Sequence, residues 1–158
     1  MKKVLIPVTN HATLGETDQE NGTFAPELTH VVHVLKEAGG KDANIVVIPT
    51  ASSIPVEVGE SYLEAFNTLE CTNVKVLDIR SKEDAEKPEF IETIKNANCI
   101  MFSGGDQSKI TDKIGGTKIH DIIKNRYKTE KGFVVAGTSA GAMMMSNEMI
   151  AGGSATEA

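Results

Sequence analysis

Ser139 stands in Gly137-Thr138-Ser139-Ala140-Gly141, a Gly-x-Ser-x-Gly spacing that follows the apolar run Phe133-Val134-Val135-Ala136 and precedes small residues that read as a helix start. Strand, sharp turn and helix make the layout of a nucleophile elbow, in which glycines leave room for a strained backbone that lifts a serine oxygen out of the sheet. The chemistry such a serine performs is acyl transfer through a covalent intermediate. The same residues also fit a tight strand-to-helix turn with Ser139 as an N-cap, and the sequence leaves both readings open. A second stretch, Ser103-Gly104-Gly105-Asp106-Gln107, follows a strand-like run and opens a helix. Its adjacent glycines allow close backbone approach, so their N–H groups could stabilise the oxyanion of a tetrahedral intermediate formed at Ser139. Gly104, Gly105, Gln107 and Ala140 are therefore the candidate oxyanion or substrate-binding residues. Asp106 also fits a plain N-cap.

A serine needs a base within hydrogen-bond reach, usually a histidine oriented by a carboxylate. The chain has four histidines, and none lies in the 19 residues that follow Ser139. His11 sits at the carboxyl end of a strand, in a long polar loop reaching to Phe24, and is the best placed as a base. His120 reads as a packed or solvated helix residue, and His30 and His33 belong to a helix expected to pack on the sheet. None of the four falls into a metal-ligand spacing, so no metal and no cofactor are expected.

The elements that must position these residues alternate. Apolar, β-rich runs occur at Val4–Val8, Ile45–Ile48, Val74–Ile79, Cys99–Phe102 and Phe133–Val135, nearly continuous in apolarity as strands covered on both faces should be. Helical periodicity fills the intervals at about 25–38, 57–69, 88–96, 106–128 in two pieces, and 139–147. This predicts one α/β domain over 1–158, a three-layer doubly wound parallel sheet with right-handed crossovers. Ligands of such sheets sit at the carboxyl ends of the strands. Gly39-Gly40 and Gly115-Gly116 read as helix breakers, and Pro49-Thr50-Ala51-Ser52-Ser53 as a capping loop ahead of Pro55.

With 16 Lys plus Arg against 22 Asp plus Glu and no basic run longer than Lys2-Lys3, neither nucleic acid nor an anionic membrane is an expected partner. The N-terminus lacks a signal-peptide core, and no apolar stretch approaches a membrane span. Cys71 and Cys99 sit in no C-x-x-C spacing and read as buried free thiols of a cytoplasmic protein.

From about Glu37 to Ala158 the chain resembles the cyanophycinases, serine peptidases of the peptidase E group. The runs AGGKDANIVVIPTASS, FSGGDQSKIT, IGGT and VVAGTSAGAMMMS and the GGSATEA tail carry the likeness. The resemblance implies a fold like the class I glutamine amidotransferases, also described as flavodoxin-like. It implies Ser139 as nucleophile, Gly105 in the oxyanion region, Gln107 at the substrate, and hydrolysis of β-aspartyl-arginine peptides. Residues 1–36, with KKVLIPVTNHATLGETDQENGTFAPELTH, resemble instead the ThiJ/PfpI-like stress-protein family, in which a glutamate of a Pro-Glu-Leu-Thr-His motif stands beside an elbow cysteine; Glu27 matches that glutamate. The two resemblances meet near Val34–Gly40 and read as a chimera of related proteins, with engineering one origin and natural divergence the alternative.

In cyanophycinases the histidine base and the substrate-binding arginines come well after the elbow, and they have no counterpart here. Glu27 also fits an ordinary first-turn helix residue after Pro26, and a carboxyl group does less for a serine than for a thiolate. The expectation is a cyanophycinase-like hydrolase with an incomplete triad (Ser139, with His11 and Glu27 as the other catalytic candidates), inactive or weakly active on a peptide substrate. Two alternatives are a non-enzymatic α/β scaffold and a glyoxalase- or chaperone-like stress protein. The apolar run Met143–Met145 with Met149-Ile150 suggests a homodimer.

Overall fold

The computed structural model describes residues 4–7 and 28–137. Five strands form one parallel sheet: β1 (Val4–Pro7), β2 (Ile45–Ile48), β3 (Val74–Val76), β4 (Cys99–Phe102) and β5 (Val134–Gly137), in the spatial order β1-β5-β4-β2-β3. Among the described residues five α-helices connect them: α1 (Leu28–Ala38), α2 (Pro55–Thr68), α3 (Pro88–Lys95), α4 (Gln107–Ile114) and α5 (Lys118–Thr129).

Alternation along the strands assigns the two faces. Ile45, Val47, Cys99, Met101, Val134 and Ala136 pack with α1 and α2 residues such as Val31, Val34, Tyr62 and Phe66. Val46, Ile48, Ile100, Phe102 and Val135 pack with Ile94, Ile110, Ile114, Ile119 and Ile123 of α3, α4 and α5. Both faces are covered, which is why β2, β4 and β5 are buried at every position and read as unbroken apolar runs. The helix faces follow from crossover handedness. β1→β2 and β2→β3 step across the sheet in one direction and put their helices on one face, whereas β3→β4 and β4→β5 step back and put theirs on the other. This is the three-layer, doubly wound, flavodoxin-like α/β fold expected from the sequence.

Two boundaries differ instructively. The apolar run through Ile79 predicts a longer β3, but the strand ends at Val76 because the Ile79 N–H turns back to the Leu77 carbonyl (3.0 Å) and the Thr50 Oγ1 hydroxyl donates to the Ile79 carbonyl (2.9 Å). Leu77 and Ile79 remain buried, so apolarity here marks core without strand. β5 runs two residues further than predicted, since its pairing with β1 continues to Pro7 opposite Gly137. The break between α4 and α5 falls where the glycines are, with Gly116 at φ +76°, and Pro55 opens α2. The helix predicted over 139–147 lies outside the described residues.

Candidate active site

The carboxyl ends of β4 and β5 lie side by side, and the contact is tight. A Cβ placed on Gly137, which has φ +151°, would stand 2.8 Å from the Phe102 carbonyl oxygen and 3.0 Å from its Cβ. Glycine is what lets β5 pass the end of β4 on its way to residue 138. After Phe102 the chain runs through Ser103 and Gly104, both buried, to Gly105, which is exposed. Gly105 has φ +136°, and a Cβ there would come to 2.1 Å from the Ala51 carbonyl oxygen and 3.0 Å from the Ser52 nitrogen. The loop after β4 is thus pressed on the loop after β2. It is held there by the Asp106 N–H donating to the Ala51 carbonyl (2.8 Å) and the Ser103 N–H donating to the Ile48 carbonyl (3.2 Å). Among the described residues the N–H groups of Gly104 and Gly105 meet no acceptor. Two successive free donors at a strand end are what an oxyanion hole needs.

Asp106 is an N-cap. Its carboxylate accepts from the Ser108 N–H (3.0 Å) and the Ser108 hydroxyl (2.7 Å), and these bonds hold its pKa below the ordinary carboxylate value. Gln107 is the first residue of α4, separated from the glycines by Asp106 alone. His120 is buried, with Nδ1 accepting the Gly116 N–H at 3.1 Å. That nitrogen is committed to the turn between α4 and α5. His33 is exposed on α1, which packs on the face opposite α4 and α5. Ser139, Ala140, His11 and Glu27 lie outside the described residues. Among the described residues no group of His, Cys, Asp and Glu could hold a metal ion. No described helix is long and apolar enough to cross a membrane. Cys71 and Cys99 are buried and unbridged, as expected, and burial pushes both thiols above their ordinary pKa.

The model of peptidase family S51 matches residues 20–157. The chain belongs to peptidase family S51. The match spans the junction suspected near Val34–Gly40, and it gives the two-family reading of the N-terminal segment no support. Among curated relatives, a cyanophycinase of Geminocystis herdmanii is 37% identical over 120 residues, covering 76% of this chain and 44% of that protein. A cyanophycinase of Trichormus variabilis is 34% identical over 120 residues, with 76% and 40% covered. The chain thus spans about two fifths of the length of the relatives it matches. The crystal structure of a peptidase from an acI-B1 Actinobacterium superposes with a TM-score of 0.59 at 26% identity, over 88% of this S51 chain and 54% of the other. A structure from Listeria monocytogenes EGD-e, at TM-score 0.58 and 19% identity, shares the fold.

Sequence reasoning took residues 49–53 for a capping loop and passed over its neighbours. The Ser52 hydroxyl oxygen does accept from the Ile54 N–H (3.0 Å), yet Thr50, Ser52 and Ser53 also line a small pocket with Arg80, Lys109 and Lys113. The spacing of Lys109 and Lys113, four apart on one face of α4 directly after a strand-end loop, was the available signal.

Proposed function

We propose that this chain carries the nucleophile and oxyanion hole of an S51 serine peptidase, with Ser139 as nucleophile and a β-aspartyl peptide as substrate. The observation that supports it most is the placement of Gly137 against Phe102, with N–H groups of Gly104 and Gly105 in the adjoining loop that meet no acceptor among the described residues. Ser139 is two residues beyond Gly137, and two residues of chain reach at most about 7 Å. Covalent geometry therefore keeps the Ser139 Cα within about 7 Å of that of Gly137. In this reading the Ser139 oxygen attacks the substrate carbonyl, the Gly104 and Gly105 N–H groups, joined by that of Ala140, receive the developing oxyanion, and Gln107 contacts the substrate.

Of the described histidines whose side chains are placed, His120 has Nδ1 engaged by the Gly116 N–H and His33 is exposed on α1, and this reading assigns the base to neither. Loss of the base from a hydrolase triad costs on the order of 10⁶ in turnover, with the residual rate supplied by the oxyanion hole and binding. These 158 residues are therefore expected to turn over peptides weakly or not at all unless His11, with Glu27, supplies the base. Treatment with a fluorophosphonate probe followed by intact mass tests the reading. A single slow adduct that disappears in Ser139→Ala supports it. No adduct on folded protein overturns it in favour of a non-enzymatic scaffold.

A further inference from the structure

A second feature lies at the carboxyl end of the sheet, on the far side of β2 from β5. The loops after β2 and β3 and one face of α4 enclose a pocket of about 220 Å³. Its floor is fixed by the Thr50 hydroxyl bonded to the Ile79 carbonyl, which ties the two loops together. Ser52 is 5% exposed, and its hydroxyl oxygen already accepts from the Ile54 N–H. Its hydroxyl hydrogen meets no acceptor among the described residues and is left for whatever enters the pocket. Three cations line the walls, Arg80, Lys109 and Lys113, against one carboxylate, Asp78. Asp78 pairs with Arg80 at 2.9 Å. Among the described residues neither lysine ion-pairs with a carboxylate. A concave space lined by two ammonium groups, of which Lys109 also lies within reach of the Asp106 carboxylate's charge, and by a hydroxyl hydrogen that meets no acceptor among the described residues favours an anion, and it has room for a carboxylate together with the atoms that carry it.

Sheet order gives the distance to the chemistry. β5, β4, β2 and β3 are successive neighbours, so the gap between β2 and β3 is two and a half strand spacings from β5, or about 12 Å at roughly 4.8 Å per spacing. An extended peptide rises about 3.3 Å per residue, so about four residues bridge the two places.

We propose that this pocket is a carboxylate subsite, taking an acidic side chain or chain terminus of the peptide about four residues from the bond presented to Ser139. It rests on the peptidase reading for the identity of the peptide. The pocket itself is testable without catalysis.

The experiment is a ¹⁵N NMR titration of the Ser139→Ala chain with three probes. They are a β-aspartyl-arginine tetrapeptide with a free terminal carboxylate, the same peptide amidated at that carboxylate, and inorganic phosphate. The acid peptide is expected to shift the amides of Ser52, Ser53, Arg80 and Lys109. Amidation should weaken binding roughly ten- to hundredfold, the range for losing a charge-assisted hydrogen bond in a partly enclosed site. Lys109→Gln/Lys113→Gln should weaken the acid peptide by a similar factor while leaving the amide spectrum of β2 and β4 in place. Equal binding of acid and amide, or of parent and double variant, overturns the subsite. Phosphate shifting the same amides at lower concentration than the acid peptide overturns the peptide assignment in favour of a free-anion site. Failure of fluorophosphonate labelling at Ser139 leaves each of these results readable.

Discussion

Replacing Gly105 by alanine tests whether the seal between the β4 and β2 loops shapes the site. Two costs combine. At φ +136° any L side chain is strained, and backbone held in sparsely populated regions costs about 1–3 kcal/mol. The new Cβ would in addition sit 2.1 Å from the Ala51 carbonyl oxygen and 2.6 Å from its carbon. Both are backbone atoms, so no flexible side chain can give way. Relieving the overlap means moving one loop, at about 1–3 kcal/mol for overpacking. The 2.8 Å bond from Asp106 N–H to the Ala51 carbonyl is then lost as well, at about 1 kcal/mol. Gly39→Ala is the control, because Gly39 has φ +114° with open space around it and bears only the conformational cost. Urea unfolding should therefore place Gly105→Ala about 2–4 kcal/mol below Gly39→Ala. Fluorophosphonate labelling of Ser139 should fall in the first variant and not in the second. Equal destabilisation of the two would refute the packing argument, and unchanged labelling would separate Gly105 from the oxyanion hole.

Gly137→Ala should lose about 2–4 kcal/mol in the same urea assay, since strain at φ +151° adds to contact with Phe102 backbone at 2.8 Å. Arg126 donates to the Ile94 and Ala97 carbonyls at 2.9 and 2.7 Å, pairs with Glu130 at 2.8 Å and lies 4.2 Å from the centre of the Phe133 ring. Arg126→Met should cost about 2–4 kcal/mol, with Glu130→Gln well under 1 because that carboxylate is half exposed. The Arg126 hydrogen bond holds the Glu130 pKa below its ordinary 4.5. Its contribution is thus present above that value and is lost as the pH falls through the lower folded pKa, so Glu130→Gln should flatten the decline of the urea midpoint below about pH 4.5. Cys71 and Cys99, both buried with raised pKa, should resist a disulfide reagent until urea unfolds the chain; rapid reaction of native protein would contradict their placement in the core.

The fold was legible because each central strand reads as an apolar run of the right length, and a parallel sheet covered on both faces has no other way to be written. Ile45–Ile48 and Cys99–Phe102 match the structure residue for residue. Val74–Ile79 did not, because Leu77 and Ile79 are buried by a turn whose cause, a hydroxyl on Thr50, lies 29 residues away from the carbonyl it bonds. Local pattern carries burial but not the partner that ends a strand. The glycine pairs were equally two-sided. Gly104-Gly105 suggested close approach to a ligand, and Gly105 turns out to approach backbone, the loop after β2, while its N–H and that of Gly104 meet no acceptor among the described residues. Asp106 was read as a cap from its place at a helix start, and its carboxylate accepts from the Ser108 N–H. The Arg80, Lys109 and Lys113 grouping was hidden because Arg80 follows β3 and the lysines follow β4, elements joined only by the return crossover.

That crossover also explains why the two functional candidates fall where they do. The connection after β2 leaves toward the face of α1 and α2, and those after β3 and β4 leave toward the face of α3, α4 and α5. β2 lies between β4 and β3, so its loop diverges from both neighbours, and a sheet of this kind opens wherever adjacent connections part. Two openings are therefore dictated by topology. The one between β2 and β4 is closed by Gly105 resting on Ala51 and Ser52. The one between β2 and β3 holds the pocket lined by Lys109, Lys113 and the Arg80–Asp78 pair. Closing the first gap leaves the Gly104 and Gly105 N–H groups beside β5, where the elbow sequence begins, and the second gap becomes a separate anion pocket at peptide length. If Gly105→Ala forces the β2 and β4 loops apart, the pocket beyond β2 should change with it. The acid-peptide shifts at Ser52 should then weaken in the variant, whereas Gly39→Ala should leave them as they are.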